Sequence, residues 1–229
     1  INLFLTSSVT LANTLSGLCE SIGADWGTIA PILRSDKRIG KYSYVNAGLG
    51  ISGGNLERDI KTASKLLKKQ KLDNSLMGQF EKRSSFQKKW PLNVLQNDDV
   101  NFHEATKVAV LGLTYKENTN SIKNSPSIEL IRNLDIQTEV QIYDPKADFV
   151  NLGQNLIRVD DPINAVTKSE ITFCMVPWSE IIQLSLSHIL NLMKGNVIVD
   201  PFGIFASEAG NITQPLRYYR IGCQPLVYV

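Results

Sequence analysis

Val108-Ala109-Val110-Leu111-Gly112 is a short apolar run closed by a glycine. That is the pattern of a strand buried on both faces of a parallel sheet. The same texture returns downstream at Glu139-Val140-Gln141-Ile142-Tyr143-Asp144-Pro145, at Ile171 to Val176, at Val197 to Asp200 and at Arg217 to Ile221. Between these runs lie helical segments at Ser127 to Leu134, near Asp161 to Lys168, and at Ser179 to Leu192. Alternation of this kind implies an α/β fold, a parallel sheet with helices on both faces. Right-handed crossovers wind it into a Rossmann-like domain, expected over residues 101–229.

Upstream, residues 1–100 read as helical. Phe4, Leu5, Ser8, Leu11, Ala12, Leu15, Leu18, Cys19 and Ile22 recur at helical spacing, and Gly23 suits a left-handed cap. Asp25 is placed to cap a second short helix through Leu33. Ser35 to Gly54 is rich in turn residues. A third helix is expected from about Leu56 to Gln70, with Leu56, Ile60, Ala63, Leu66 and Leu67 on one face. A weaker helical segment covers Ser75 to about Trp90, and Asn97 to Thr106 reads as a polar linker. The apolar stripe of the opening helix is broad for so small a domain to cover, which predicts a homodimer built on the helical half. The chain starts at Ile1 inside a helical pattern, so it reads as part of something longer or as a chain that has lost an N-terminal domain.

Composition narrows the classes. Lysine and arginine number 24 against 22 aspartates and glutamates, so no strong overall field favours nucleic acid or an acidic membrane. The local basic run from Lys61 to Lys71 reads as a solvated helix face. Cys19, Cys174 and Cys223 show no motif spacing, which points to a reducing, cytoplasmic setting without disulfides. His103 and His188 stand apart without ligand-like neighbours, so no metal site is expected. No apolar run reaches the roughly 18 residues of a membrane span.

The densest local signal is Asn46-Ala47-Gly48-Leu49-Gly50-Ile51-Ser52-Gly53-Gly54-Asn55-Leu56-Glu57-Arg58-Asp59, a glycine-rich turn that runs into the third helix. Glycine costs more backbone entropy than any other residue. Gly48, Gly50, Gly53 and Gly54 therefore mark left-handed turns or places where a ligand touches the backbone. After the first strand of the second domain comes Gly112-Leu113-Thr114-Tyr115-Lys116-Glu117-Asn118-Thr119. It lacks the G-x-G-x-x-G that lets a dinucleotide pyrophosphate approach, so this domain is not expected to hold NAD. Lys116 stands at the carboxyl end of a strand, where open sheets bind ligands. Two readings of it stand, a ligand-facing cation and an exposed loop lysine.

The glycine loop resembles the motif N-x-G-x-G-x-G-G-[SY]-C-[FL]-P-K-D of the UDP-glucose/GDP-mannose dehydrogenase family. The resemblance extends over almost the whole chain. Asn2-Leu3-Phe4-Leu5-Thr6 through Asn13 is similar to the family's N-A-F-L-A-T-K-I-S-F-I-N helix, and Ser35-Asp36-Lys37-Arg38-Ile39-Gly40 to its D-x-R-I-G turn. Lys107 to Pro126 resembles K-[IV]-[AG]-[VL]-L-G-L-[AS]-[FY]-K-x-x-T-D-D-x-R-x-S-P. Tyr143-Asp144-Pro145 and Val176-Pro177-Trp178 resemble the family's Y-D-P and T-E-W. The resemblance implies a helical dimerisation domain followed by a Rossmann-like domain that holds the nucleotide of a UDP-sugar. The implied partners are a nucleotide sugar and a second copy of the chain, with no nucleic acid and no membrane.

The family's reaction is a two-step NAD-dependent oxidation of a sugar primary alcohol to a carboxylate. A lysine and an asparagine of the opening helix act with a water and the loop aspartate, while a cysteine carries thiohemiacetal and thioester intermediates. By resemblance Asn13 takes the asparagine position and Asp59 the aspartate position. Arg38 matches the arginine lent across the dimer, and Lys116 the lysine after the strand. Gly48, Gly50, Gly53, Gly54 and Asn55 form the substrate loop. Two groups depart from the pattern: Ser8 stands at the lysine position and Asn55 at the cysteine position. The family's D-G-R-N appears as Asp200-Pro201-Phe202-Gly203, without its arginine. Phe202 is then a core phenylalanine or a ring that stacks on a ligand. A carboxamide is no nucleophile at neutral pH, and the missing lysine removes a cation that would stabilise a developing oxyanion. Three functions follow as expectations: a homologue with diverged chemistry on a nucleotide sugar, a catalytically inactive binding or dimerisation module, or an active enzyme using other residues. NAD enters only through an additional N-terminal domain.

Overall fold

The computed structural model describes residues 1–148 and 155–228. The chain forms two compact units, one of Ile1–Trp90 with Ile221–Gln224, the other of Pro91–Arg220 with Pro225–Val229.

The first unit is helical. α1 (Asn2–Ile22) ends at Gly23, whose φ of 76° and ψ of 21° are left-handed. The Ala24 N–H then closes on the Cys19 carbonyl at 3.0 Å. α2 (Trp26–Ser35) begins under Asp25, whose carboxylate accepts the Gly27 N–H at 2.7 Å. The turn-rich stretch follows, then α3 (Asn55–Lys69) and α4 (Ser75–Lys88). Two small cores result. Ala12, Cys19, Trp26 and Ala30 form one; Ile51, Ile60, Met77 and Phe80 form the other. Leu56, Ala63 and Leu67 pack on the second core beside Ile60. Leu66 does not, and is 57% exposed. At about 100° per residue it falls a quarter-turn away from the Leu56–Ile60–Ala63–Leu67 row.

α1 buries its small side, with Thr6, Ala12, Asn13, Ser16 and Cys19 inside. Its large apolar residues Phe4, Leu11, Leu18 and Ile22 face outward within this single chain. The segment Ile221–Gln224 returns to this unit. The Trp26 N–H donates to the Gly222 carbonyl at 2.8 Å, and the Gly222 N–H donates to Glu20 Oε1 at 2.8 Å. Glu20 also accepts the Trp90 indole N–H at 3.0 Å. Gly222 has a φ of +89°, and a Cβ there would lie 2.5 Å from that of Trp26, so only glycine fits.

The second unit opens with α5 (Trp90–Asn97) and a single 3-10 turn at Phe102–Glu104. The expected polar linker is therefore tied down, by buried Phe102 and Ala105. There follow β1 (Lys107–Leu111), α6 (Pro126–Arg132), β2 (Glu139–Tyr143), β3 (Leu156–Arg158), α7 (Pro162–Val166), β4 (Ile171–Cys174), α8 (Ser179–Ile182), α9 (Leu186–Leu192), β5 (Val197–Val199), α10 (Ala206–Ala209), β6 (Leu216–Tyr219) and β7 (Leu226–Tyr228). The strands lie in the order β3-β2-β1-β4-β5-β6-β7. All neighbours run parallel except β6 and β7.

Val108 to Leu111 are fully buried at the centre of this sheet. The single helix expected over Ser179 to Leu192 is two. Glu208 accepts the Leu186 N–H at 2.9 Å and the Ser185 hydroxyl at 3.3 Å, which starts a fresh helix there. The chain departs from β1 toward β2 and β3 on one side and from β4 toward β7 on the other. The switch point is thus at the carboxyl ends of β1 and β4, where open α/β sheets bind ligands.

Candidate functional site

In the first unit the glycine loop is fastened at both ends. Asn13, 6% exposed on α1, accepts the Gly48 N–H through Oδ1 at 2.8 Å. Further along, the Ile51 N–H donates to Ser84 Oγ on α4 at 2.8 Å. The four glycines divide into two kinds. Gly50 (φ +80°) and Gly53 (φ +72°) are left-handed, and a Cβ on Gly50 would meet the Ser84 carbonyl oxygen at 2.7 Å. Those two serve the turn itself. Gly48 has open space where its Cβ would stand, and Gly54 caps α3 at a φ of −120°. Neither is demanded by backbone geometry.

Asn55 is exposed and is the first residue of α3. One helical turn on, Asp59 accepts from Asn2 Nδ2 at 2.7 Å and from Arg58 Nε at 3.0 Å. These two donors, Asn2 first, hold its carboxyl below the usual range. Ser8 directs its hydroxyl back to the Phe4 carbonyl at 3.1 Å, an intrahelical bond. Arg38 forms a two-point pair with Asp36, Nε to Oδ1 at 3.0 Å and Nη2 to Oδ2 at 2.7 Å, and its side chain is 90% exposed. Next to this turn lies a groove of about 310 Å³ lined by Arg34, Lys41, Tyr42, Ser43, Tyr44 and Asn46. Arg34 donates to Asn46 Oδ1 at 2.5 Å across its wall. Neither of the two buried thiols substitutes for a nucleophile at the loop. Cys19 is 5% exposed and Cys174 fully buried, and burial raises both above the ordinary thiol range.

In the second unit the carboxyl ends of three strands meet on one side chain. Asp144 follows β2 and is 4% exposed. Its Oδ2 accepts the Leu113 N–H at 2.7 Å, the Thr114 N–H at 3.0 Å, the Thr114 hydroxyl at 3.1 Å and the Trp178 indole N–H at 3.1 Å. Its Oδ1 accepts the Lys146 and Ala147 N–H groups at 2.9 and 2.7 Å. Burial alone would raise this carboxyl; the backbone N–H groups outweigh it and hold it low. The amides of Leu113 and Thr114 are thereby committed to a protein carboxylate. Those two amides are therefore not free to meet a ligand phosphate.

Lys116 is exposed on that loop, with Nζ 5.8 Å from the Tyr115 ring centroid. Phe202, past β5, is 44% exposed and so is not a core phenylalanine. Asp200 beside it is fully buried. Its Oδ2 accepts the Tyr218 hydroxyl at 2.7 Å and the Phe205 N–H at 2.9 Å, and burial raises its carboxyl.

Sequence reasoning did not single out Asn2, Ser84, Tyr42, Tyr44 or Asp144 as site residues. Asp144 and Trp178 were within reach, since both sit in motifs whose likeness was recognised. Asn2 was also within reach, as the first residue of the opening-helix motif, whereas Ser84 had no signal beyond an ordinary polar residue on a helix. Among the described residues no group of His, Cys, Asp and Glu side chains could hold a metal ion.

Comparison with known proteins gives two family models. Residues 1–84 match the central domain, and residues 109–207 the UDP binding domain, of the UDP-glucose/GDP-mannose dehydrogenase family. A UDP-glucose 6-dehydrogenase of Rickettsia bellii is 32% identical over 96% of this chain and 52% of its own length. UDP-glucose 6-dehydrogenase TuaD of Bacillus subtilis is 26% identical over 90% of this chain and 45% of its own. The chain thus spans about half the length of these curated relatives. Among solved structures, an NDP-N-acetyl-D-galactosaminuronic acid dehydrogenase from Methanosarcina mazei superposes with a TM-score of 0.79 at 20% identity, covering 97% of this chain and 49% of that one. A UDP-glucose dehydrogenase from Pyrobaculum islandicum gives 0.75 at 24% identity, covering 87% of this chain and 45% of that one. At these identities the structural likeness speaks for the fold, and the family models speak for descent over both units. The chain belongs to the UDP-glucose/GDP-mannose dehydrogenase family.

Proposed function

We propose that this chain supplies the central and nucleotide-binding portions of a nucleotide-sugar dehydrogenase homologue, that it binds a UDP-sugar, and that the thioester-forming chemistry of its family does not run on it. The observation that carries this reading is the exposed Asn55 at the head of α3. It ends a loop whose supports, Asn13 to Gly48 and Ser84 to Ile51, are all in place. The scaffold that presents a nucleophile is kept and a carboxamide is presented instead. Asp59 remains an ionised carboxylate, tied by Asn2 and Arg58, and Ser8 supplies no positive charge. Such a site can bind and orient a polar ligand with backbone amides but has no thiolate to trap an aldehyde. Arg38 and Lys116 are assigned to the anionic parts of the ligand. NAD belongs to the reaction only with a dinucleotide domain beyond these two units. No disulfide joins the three cysteines among the described residues, which suits a reducing cytoplasm.

Calorimetry with UDP, UDP-sugars and GDP-sugars tests the binding. Submillimolar affinity for at least one UDP-sugar is expected, and failure of all of them below about 1 mM, roughly 4 kcal/mol, leaves the site vestigial. Steady NADH formation from UDP-glucose by this chain alone would sink the chemical half of the proposal. A second reading, a dimerisation module without catalysis, is favoured by the outward row Phe4, Leu11, Leu18 and Ile22 on α1. It wins if the chain dimerises and no nucleotide sugar binds.

A further inference from the structure

The near-neutral total charge conceals an uneven distribution. Residues 57–89, which hold most of α3, all of α4 and the turn between them, carry ten lysines and arginines against four acids. The rest of the chain is net acidic. On α3 the cations Arg58, Lys61, Lys65, Lys68 and Lys69 are all exposed. They lie opposite the row Leu56, Ile60, Ala63 and Leu67 at about 100° per residue. Arg58 is paired with Asp59 at 3.0 Å and Lys61 with Glu57 at 2.5 Å. Lys65, Lys68, Lys69 and Lys71 have no carboxylate partner among the described residues.

The turn itself is well built. The Lys71 N–H donates to the Lys68 carbonyl at 3.1 Å and the Leu72 N–H to the Leu67 carbonyl at 2.9 Å. Lys71 holds a left-handed φ of 56°, the place glycine usually takes at such a helix end. The basic character therefore continues to Lys71, and the one acid of the turn, Asp73, is occupied by the Ser75 N–H at 2.9 Å and the Ser75 hydroxyl at 2.8 Å. Interleaved with these lysines are three large apolar side chains pointing to solvent: Leu66 at 57%, Leu72 at 60% and Leu76 at 57% exposed. One exposed leucine needs no explanation, but three around a single turn among unpaired lysines make a mixed surface.

We propose that the α3–α4 turn docks on the surface of an anionic lipid bilayer. Lys65, Lys68, Lys69 and Lys71 would meet the headgroup layer, and Leu66, Leu72 and Leu76 the acyl boundary. Charge complementarity selects an anionic occupant, and each lysine close to such a surface strengthens the partition roughly fivefold. The leucines select a bilayer over nucleic acid or another soluble polyanion, which offers them nothing apolar. The contact is peripheral, since no helix among the described residues is long and apolar enough to cross a membrane. It does not depend on nucleotide-sugar binding.

The test is co-sedimentation of the 229-residue chain with vesicles of phosphatidylcholine mixed with phosphatidylglycerol, and with phosphatidylcholine alone. The chain is expected to sediment with the anionic vesicles only and to release at high salt. The variant K65E/K68E/K71E should lower the partition roughly a hundredfold. L66S/L72S/L76S, with every charge intact, should lower it roughly tenfold. Far-UV circular dichroism and the melting midpoint check that both variants fold. If either does not, the single changes Lys71→Glu and Leu72→Ser carry the same comparison. Equal binding to both vesicle types, no binding to either, or a leucine variant that binds like the wild type each overturns the proposal. Heparin binding without vesicle binding would assign the patch to a soluble polyanion and overturn it as well.

Discussion

The indole N–H of Trp178 reaches Oδ2 of Asp144 at 3.1 Å, although the two residues stand 34 positions apart. The same oxygen takes the Leu113 and Thr114 amides, so one carboxylate pins the loops that leave β1, β2 and β4. Asp144→Ala leaves several buried donors without an acceptor and is expected to cost about 3 kcal/mol of stability in urea unfolding. The pH dependence has a definite sign. The folded carboxyl lies below its unfolded value, so its contribution is complete above about pH 4 and is lost as pH falls through the folded pKa. Wild type should therefore lose stability in acid more steeply than Asp144→Asn.

The glycine loop offers a contrast within three residues. Gly50→Ala forces a Cβ onto the Ser84 carbonyl at a left-handed φ and should cost about 2–4 kcal/mol. Gly48→Ala meets open space and should shift stability by less than about 0.5 kcal/mol. If Gly48→Ala keeps its melting midpoint but weakens UDP-sugar binding in calorimetry, the backbone at Gly48 lies against the ligand. Unchanged binding would remove Gly48 from the site.

Asn13→Ala removes the acceptor of the half-buried Gly48 amide, a loss of about 1 kcal/mol. Its specific signature is faster hydrogen exchange at Gly48 with unchanged exchange in the second unit. A uniform increase over the whole chain would mean that Asn13 acts only on global stability.

Glu20 titrates in the opposite sense to Asp144. Burial raises its folded carboxyl despite the Gly222 and Trp90 donors. The folded state therefore holds a proton more readily than the unfolded chain. Stability from this group is full below the unfolded value of about 4.3 and declines as pH rises through the folded one. Glu20→Gln should lie within about 1 kcal/mol of wild type at neutral pH, with wild type gaining on it as pH is lowered toward 4. A gap that widens in the other direction refutes the assignment.

The outward row on α1 predicts association. The chain should sediment as a dimer at micromolar concentration, and L11E/L18E should sediment as a folded monomer. Both positions are more than half exposed in the isolated chain, so the substitutions leave the cores alone. A monomeric wild type would withdraw the homodimer.

The sequence was legible where one force dominates. The buried runs of β1, β4 and β5 are apolar because both faces of the sheet are covered, and β2 and β6 still declared themselves although Glu139, Gln141 and Arg217 are only half buried. The edge strands β3 and β7 are short and half exposed, so their apolar signal is weak and neither was anticipated. On α1 the periodicity announced a helix, but which side is inside was hidden, because Ala12, Asn13, Ser16 and Cys19 rather than Phe4 and Leu11 face the core. The candidate site could be named from the sequence only as a set of positions, Asn13, Asn55, Asp59 and the loop glycines, taken from resemblance. It was not legible as geometry. Nothing in the order of residues says that Asn2 holds Asp59 or that two of the four glycines are left-handed.

Gly222 makes the first unit discontinuous in the chain. Its carbonyl and amide are bonded to Trp26 and to Glu20, residues made some two hundred positions earlier. A ribosome delivers α1 to α4 first, then the entire sheet through β6, and only then the four residues that finish the helical unit. The helical unit is therefore incomplete throughout the period in which its neighbour is synthesised. A gene segment cut between the units to express residues 1–90 alone would leave the Glu20 carboxylate and the Trp26 amide without these partners. Supplying a peptide that carries Ile221–Gly222–Cys223–Gln224 in trans is the natural way to ask whether the gap can be closed after synthesis.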